Sequence, residues 1–279
     1  MMTEPTPSSL LLSADDRGVV TVTLNRPAIH NAFDDLLIAD LRRVFDALAV
    51  DPAVRVVILT GAGRSFSAGA DLAWMQRMAD YGEEENHADA LALAEMLASI
   101  ATCPKPVIAA VQGAAFGGGV GLVAACDMAV ASDSASFCLS EVRLGLIPAT
   151  IAPHVIAAIG VRASRRYMLT AERFDAIDAF RLGLVQAVVS PDRLQEQVET
   201  WVKALLLGGP QALSASKDLI ASVAGRPLSS PLLTETAARI ARQRVGAEGQ
   251  EGLQAFLSKR VPSWVSRAAG RVEKDQQDV

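Results

Sequence analysis

A run of three glycines, Gly117–Gly119, is the first feature of the sequence that could support chemistry. It follows an apolar stretch, Val107–Val111, that indicates a buried strand, and it opens an Ala/Val/Leu helix from about Gly119 to Ala125. The first N–H groups of such a helix have no partners within it, so they could hold a phosphate or a developing oxyanion. A tight strand–helix contact rich in small residues would explain the same run. The run does not fit the nucleotide signature G-x-G-x-x-G, and the P-loop Gly-Lys-Ser/Thr is missing.

A second apolar stretch ends in a similar way. Val54–Thr60 indicates another buried strand, and it is followed by Gly61-Ala-Gly63, by the small-residue stretch Ser67–Asp71 and then by a helical segment. Two strands that each end in small-residue turns could present backbone N–H groups to one site. Two convergent N–H donors are the usual composition of an oxyanion hole.

The candidate proton donor or acceptor is the carboxylate of Glu141, which lies in the segment Phe137–Pro148. Its neighbours in Leu139-Ser-Glu-Val-Arg-Leu144 are mostly apolar, and apolar surroundings would raise its pKa toward working pH. An acid/base role and an ion pair with Arg143 both remain open from the residues alone.

Five motifs follow one another along the chain. They are Asn25-Arg-Pro27 with Asn31-Ala32, Phe66–Leu72, Gly113–Gly119, Ala125-Cys-Asp127 and Phe137–Pro148. Together they resemble the crotonase superfamily of enoyl-CoA hydratases and isomerases. The resemblance spans the chain from about Asn25 to about Trp264, and it implies a spiral of repeated β-β-α units with a C-terminal helical region.

The resemblance implies a role for individual residues. The two oxyanion-hole donors fall on the backbone N–H groups of Ala70 and Gly118, and the acid/base glutamate falls on Glu141. Two of the implied CoA contacts have structural alternatives, since Asp71 could cap a helix and Lys259 could belong to an ordinary helix end. The implied CoA-binding positions are Arg26, Ala68, Gly69, Asp71, Leu72, Gly117, Gly119, Phe256 and Lys259.

One position departs from the hydratases that use two glutamates. Gly121 stands where their other glutamate would be, so the resemblance leaves Glu141 as the one expected acid/base, with Thr150 or His154 as weaker candidates for positioning water. The motifs look most like those of bacterial methylglutaconyl-CoA and carboxygeranoyl-CoA hydratases. A Δ3-Δ2 enoyl-CoA isomerase using Glu141 alone is the second reading, and a non-catalytic acyl-CoA or RNA-binding member is the third.

Composition excludes several other classes of protein. The chain has 279 residues, a net charge of -5 and 51% hydrophobic residues, which argues against a nucleic-acid surface and is enough for a large core. Its three cysteines have no metal-ligand spacing, so we expect no metal and buried free thiols in a reducing compartment. No apolar run is long enough to cross a membrane, and the N-terminus resembles no signal peptide. We therefore expect a cytoplasmic enzyme with no cofactor beyond its CoA thioester substrate.

The elements that must position these residues alternate as strand and helix, which predicts an α/β fold with parallel strands. Asp34 is the predicted N-cap of a helix through Val50. The expected organisation is a disordered tail at 1–9, a crotonase core at 10–205, a C-terminal helical oligomerisation region at 206–272 and a polar tail at 273–279. The resemblance further implies a homotrimer or a dimer of trimers.

Overall fold

The computed structural model describes residues 8–265. The chain forms two units: one is the chain up to Cys103 together with Val107–Glu199, and the other is Pro104–Pro106 with the chain from Thr200 onward. The predicted boundary between 205 and 206 stays a prediction. Most of the predicted N-terminal tail and all of the predicted C-terminal tail lie outside the described residues.

Two sheets organise the first unit. A six-stranded sheet has the order β1-β2-β3-β5-β7-β10, in which β1 is antiparallel to β2 and the remaining neighbours are parallel. A four-stranded sheet has the order β4-β6-β8-β9, in which β9 alone is antiparallel to its neighbour. The strands are β1 Leu10–Ala14, β2 Val19–Leu24, β3 Val56–Gly61, β4 Ser65–Ser67, β5 Val107–Val111, β6 Ala114–Phe116, β7 Met128–Ser132, β8 Ser136–Cys138, β9 Phe174–Asp175 and β10 Ala187–Val189.

The strands alternate between the two sheets. The pairs β3–β4, β5–β6 and β7–β8 each place the first strand in the large sheet and the second in the small sheet, and helices follow each pair. This confirms the predicted mixed α/β architecture with repeated β-β-α units. Because β4, β6 and β8 are parallel, their carboxyl ends lie at one edge of the small sheet, and the chain that leaves each strand begins there.

Helices cover the sheets of the first unit. As predicted, Asp34 caps α1, since its carboxylate accepts a hydrogen bond from the Leu37 N–H, and the apolar stripe of α1 is buried. The helical region predicted after residue 72 is interrupted, because Gly82 adopts an extended conformation and starts a new helix. The helices are α1 Asp35–Val50, α2 Leu72–Ala79, α3 Glu83–Ala101, α4 Gly118–Ala125, α5 Ala152–Thr170 and α6 Ala176–Leu182. A further helix, α7 Leu194–Leu207, begins in the first unit and continues past Glu199, where that unit ends.

The core of the first unit is continuous and apolar. It takes in the buried faces of both sheets and includes Phe33, Phe45 and Phe137. Cys103 and Cys138 are buried, as expected, whereas Cys126 is only partly buried. No helix among residues 8–265 is long and apolar enough to cross a membrane.

The second unit is helical in its described part. It contains α8 Pro210–Val223, α9 Ser230–Val245 and α10 Ala247–Leu257. Glu248 ties α10 to the start of α8, because its carboxylate accepts hydrogen bonds from the N–H groups of Gln211 and Ala212 at 2.9 and 2.7 Å. Several large apolar side chains of this unit are more than half exposed, namely Ile220, Leu228, Leu233, Val245, Phe256, Leu257 and Val261.

Candidate active site

The arm that links β4 to α2 presents one candidate donor, the N–H of Ala70. Ala70 forms an isolated parallel bridge with Phe33. The Phe33 N–H donates to the Gly69 carbonyl at 2.7 Å, and the Asp71 N–H donates to the Phe33 carbonyl at 2.7 Å. In a parallel bridge the amide of the central residue points away from the bridging strand. The Ala70 N–H therefore faces away from Phe33, and among residues 8–265 it donates no hydrogen bond.

The turn between β6 and α4 presents the second candidate donor, the N–H of Gly118. Gly117 has a φ of 50°, which favours glycine, and its N–H donates to the Cys138 carbonyl at 2.8 Å. Gly118 is the first residue of α4, so its N–H has no partner within the helix. This N–H also donates no hydrogen bond among the described residues.

The two turns and Glu141 approach one another closely. A Cβ added at Gly117 would lie 3.2 Å from Glu141 Oε1 and 4.0 Å from the Gly69 Cα. A Cβ added at Gly69 would lie 3.2 Å from the Phe116 carbonyl oxygen. Glycine is needed at 117 because a side chain there would fill the space in front of the carboxylate. The predicted site residues of this cluster are thus brought together at the carboxyl edge of the small sheet.

Glu141 begins a short 3-10 turn, Glu141–Leu144, that leaves β8. Burial raises the pKa of its carboxyl group, and the smaller effect of its own backbone N–H lowers it. Its Oε2 atom is buried and has no hydrogen-bond partner. Among the described residues Glu141 forms no ion pair with Arg143, the structural alternative that the sequence left open. A partly buried carboxyl group with an unpartnered oxygen atom, beside a turn with an N–H that donates no hydrogen bond, is the arrangement expected of a proton-transfer group.

Arg26 lies between two helix N-termini. Its Nη2 atom is 2.8 Å from an Asp34 carboxylate oxygen and 3.6 Å from an Asp71 carboxylate oxygen, and its Nη1 donates to the Ala32 carbonyl. Asp71 caps α2, which was the structural alternative for this residue, since its side chain accepts hydrogen bonds from the N–H groups of Ala73 and Trp74. The Arg26 guanidinium is therefore already paired with the carboxylates of Asp34 and Asp71. Contact of Arg26 with CoA phosphates stays a prediction.

The other predicted CoA positions fall in two places. Ala68 donates its N–H to the His30 carbonyl at 2.9 Å, and Leu72, the first residue of α2, is 77% exposed. Phe256 and Lys259 belong to the second unit, where Phe256 is 77% exposed and the Lys259 N–H donates to the Phe256 carbonyl. Lys259 sits just past the end of α10, and the CoA contacts predicted for both residues stay predictions.

Gly121, which stands where the two-glutamate hydratases have their other glutamate, packs against an apolar side chain. Gly121 is buried, and a Cβ added there would overlap Ile151 Cγ2 and lie 2.9 Å from Ile151 Cβ. His154, one candidate for holding water, lines a separate cavity of about 340 Å³ with Asp127 and Gln186. Burial lowers the pKa of His154, which favours its neutral form.

Sequence reasoning missed the part played by Phe33. Its backbone holds the arm that carries Ala70, and its ring contacts Gly118. The neighbouring Asn31 was visible only as part of a motif, yet its side chain is fully buried and its Nδ2 donates to the carbonyls of Ala62, Ser65 and Phe66. No periodicity in the sequence marks either residue, because both lie in an irregular segment.

Comparisons with known proteins show the family to which this chain belongs. The family model described as enoyl-CoA hydratase/isomerase matches residues 14–267. A crystal structure of an enoyl-CoA hydratase from Shewanella pealeana superposes with a TM-score of 0.90 at 44% identity, covering 92% of this chain and 96% of that one. A crystal structure assigned as an enoyl-CoA hydratase/isomerase (crotonase) from Legionella pneumophila is 49% identical with a TM-score of 0.87, covering 93% and 100%.

A curated relative extends the same result. The 2,3-dehydroadipyl-CoA hydratase of Escherichia coli is 34% identical over 267 residues, which is 93% of this chain and 100% of that protein. The chain belongs to the enoyl-CoA hydratase/isomerase family, the crotonase superfamily of the predicted resemblance. It is an enzyme of that family, and its relatives support a generic enoyl-CoA hydratase function.

Proposed function

We propose that this enzyme adds water across the C2=C3 bond of a 2-enoyl-CoA thioester, with the N–H groups of Ala70 and Gly118 as oxyanion donors and Glu141 as the acid/base. The thioester is the substrate, and the proposal needs no further cofactor. The observation that carries it is the Glu141 carboxyl group beside the Gly117 turn, whose Oε2 atom is buried and has no hydrogen-bond partner.

The proposed reaction begins with the thioester oxygen between the two N–H groups. Glu141, as the carboxylate, accepts a proton from water while the water oxygen bonds to C3 and the electron pair of the C2=C3 bond moves toward the thioester carbonyl. The resulting enolate oxyanion accepts hydrogen bonds from Ala70 and Gly118. Glu141 then returns the proton to C2, so the carboxylate is restored and one water has been added.

The two N–H donors favour the enolate over the ground state. They are held by the backbone before the substrate arrives, so they need no reorganisation as charge develops on the oxygen. Loss of one such donor typically lowers the rate by about 10²–10³-fold. The groups belong to the backbone, which is why side-chain replacement at 70 or 118 tests them only through displacement.

A branched or acidic acyl group is the substrate class that we propose, with 3-methylglutaconyl-CoA as the first compound to test. Two observations support this choice: the motifs resemble methylglutaconyl-CoA hydratases, and the relative from Escherichia coli is named for another dicarboxylic acyl-CoA. We further propose that the enzyme works in the cytoplasm as a homotrimer or a dimer of trimers and in leucine degradation.

The test is hydration of crotonyl-CoA and 3-methylglutaconyl-CoA by the wild-type enzyme and by Glu141→Gln. We expect hydration of at least the second compound, and a loss of about 10²–10⁴-fold in kcat in the variant, because the proton acceptor is gone. The readout is the 3-hydroxyacyl-CoA product, separated from the substrate by chromatography. Equal turnover by both proteins would contradict the role of Glu141.

An isomerase is the second candidate, and the contact between Gly121 and Ile151 favours it. That contact leaves Glu141 as the carboxylate placed beside the oxyanion donors, and one carboxylate suffices to move a proton between C4 and C2 of a 3-enoyl-CoA. Incubation with a 3-enoyl-CoA separates the two reactions. Rapid isomerisation without hydration of any 2-enoyl-CoA would replace the first proposal with the second, and no turnover of either compound would favour a binding protein.

A further inference from the structure

Phe33 contacts both turns that carry the proposed oxyanion donors. Its backbone N–H and carbonyl form hydrogen bonds of 2.7 Å with Gly69 and Asp71, on either side of Ala70. Its ring lies against Gly118, where an added Cβ would come within 2.9 Å of Phe33 Cε2. The side chain is 2% exposed, so the ring is enclosed by the core.

These contacts determine two different quantities. The hydrogen bonds of the bridge fix the direction of the Ala70 N–H, because the flanking peptide groups are held to Phe33. The ring fixes how closely the Gly118 backbone approaches the same segment, because close-packed atoms cannot interpenetrate. Phe33 therefore holds the direction of the Ala70 N–H through its backbone and the position of the Gly118 N–H through its ring.

The backbone of Phe33 is itself held firmly. Asn31 is fully buried, and its Nδ2 donates to carbonyls of Ala62, Ser65 and Phe66 at 2.8–3.1 Å. Its φ of 54° lies in the left-handed region, which asparagine tolerates better than most residues. The Ser67 hydroxyl donates to the Asn31 carbonyl at 2.9 Å, which ties β4 to the same segment.

We propose that Phe33 is a positioning residue whose ring sets the spacing between the N–H groups of Ala70 and Gly118. This inference rests on the proposed function, since it assigns a task to Phe33 through its contacts with the two turns that carry the proposed donors. A shorter, non-planar side chain at 33 leaves the backbone hydrogen bonds in place but lets the Gly118 turn move. The two donors then no longer meet one oxygen atom at hydrogen-bond distance.

The experiment compares Phe33→Leu with Phe45→Leu as a matched control. Phe45 lies in α1 and is fully buried in the core. It makes none of the contacts described for Phe33. Both variants lose the same atoms from one hydrophobic core, so both should lower the Tm. The readouts are kcat and KM with crotonyl-CoA or whichever enoyl-CoA the wild type turns over, and the infrared carbonyl frequency of bound butyryl-CoA labelled with ¹³C at the thioester carbon.

We expect the wild-type enzyme to lower the carbonyl frequency of the bound thioester relative to the free thioester, since two donors polarise the C=O bond. Phe33→Leu should return the frequency most of the way to the free value and lower kcat about 10–100-fold, with KM changed by less than about threefold. Phe45→Leu should keep both the wild-type frequency and the wild-type kcat.

Either of two results would overturn the inference: Phe33→Leu matching Phe45→Leu in frequency and kcat, or a wild-type enzyme that leaves the carbonyl frequency unchanged. If Phe33→Leu does not fold, Phe33→Met, which is closer in volume but flexible, should show the same frequency change to a smaller extent, and an unchanged frequency there also overturns it. If the wild type lowers the frequency, Phe33→Leu reverses it, and no enoyl-CoA is turned over, the proposed function fails while the positioning role stands.

Discussion

At the scale of single residues, Glu141 shows a conflict between stability and chemistry. The side chain is partly buried, its Oε2 atom is buried without a hydrogen-bond partner, and burial raises the pKa of the carboxyl group. A group of this kind is costly to ionise inside a folded protein, but the same surroundings give it the proton affinity that general acid/base chemistry needs. A residue that served stability alone would be paired.

Glu141→Gln should therefore be more heat-stable than the wild type at neutral pH. A raised folded-state pKa means that the contribution of the protonated carboxyl is complete below its unfolded value of about 4.3 and is lost as pH rises through the folded-state pKa. We expect the Tm of the variant to exceed that of the wild type by a few degrees at pH 7–8 and the difference to vanish below about pH 4. Calorimetry across this range measures it, and a variant less stable at every pH would contradict the expectation.

Arg26 offers a second prediction for a single residue. Its guanidinium neutralises Asp34 and Asp71, whose side chains are 16% and 14% exposed. Arg26→Gln leaves two largely buried carboxylates near each other without a cation, so we expect a loss of about 1–3 kcal/mol in the free energy of unfolding.

Urea denaturation of Arg26→Gln gives that free energy, and the KM for the CoA thioester gives the other reading. Arg43→Gln is a suitable control, because Arg43 forms an exposed ion pair with Asp40 only. If Arg26→Gln has the wild-type free energy of unfolding but a greatly increased KM, Arg26 serves to bind the CoA phosphates and not to stabilise Asp34 and Asp71.

The local part of the site could be predicted from the sequence, and its long-range part could not. Asp34 was predicted as a helix cap, and a cap was the structural alternative for Asp71, because a cap depends on residues two or three positions away. Glu141 and the glycine turns were found because their motif is contiguous. Phe33 was not found, because its role depends on contacts with residues 69 and 118 that only the folded chain brings together.

At the scale of elements, the site depends on the close packing of α4 against its neighbours. Gly119 lies against the Ser67 backbone of β4, and Gly121 lies against Ile151 at the start of α5. Small residues on α4 let the helix approach both elements, which brings the N–H of Gly118 to the edge of the small sheet. The glycines of α4 thus allow close packing as well as forming the N-terminal turn. Close packing was the structural alternative that the sequence left open for Gly117–Gly119.

Gly121→Ala should destabilise the fold through the α4–α5 contact. The added methyl group would overlap Ile151 Cγ2, and overpacking in a core typically costs about 1–3 kcal/mol. We expect a lower Tm for Gly121→Ala, measured by thermal denaturation, and recovery of most of it in the double variant Gly121→Ala/Ile151→Ala. Failure of the second substitution to recover any stability would show that the Ile151 contact is not the cause.

The order of the elements could be predicted, but not how they divide between sheets. Alternation of apolar strands and helices predicted parallel α/β pairing, and this is confirmed. The family resemblance implied repeated β-β-α units, but the sequence did not place β4, β6 and β8 in a second sheet, since three-residue strands give little periodicity. The break between α2 and α3 was missed because polar helical residues continue on both sides of Gly82.

At the scale of the whole molecule, each unit leaves apolar side chains exposed. In the second unit Phe256 is 77% exposed and Leu257 is 78% exposed, on consecutive residues at the end of α10. In the first unit Leu146 and Ile147 are 53% and 74% exposed just beyond the Glu141 turn. Clusters of exposed large apolar residues are typical of surfaces that a partner covers, in agreement with the proposed oligomer.

The predicted mass in solution is three or six times the chain mass of 29.4 kDa, because the resemblance implies a trimer or a dimer of trimers. Light scattering after size-exclusion chromatography measures this mass directly. Leu257→Asp should shift it toward smaller species, since a buried charge at an interface is costly, whereas Glu83→Gln on an exposed helix start should not. A monomer at micromolar concentration would contradict the oligomer and leave the site within the first unit as described.

A crystal structure of the enzyme with a bound 3-hydroxyacyl-CoA tests the central claim most directly. We expect the thioester oxygen to lie about 2.7–3.1 Å from the nitrogen atoms of both Ala70 and Gly118, with a Glu141 carboxylate oxygen next to C2. A thioester oxygen bonded to neither amide, or a Glu141 carboxyl group turned away from C2, would contradict it.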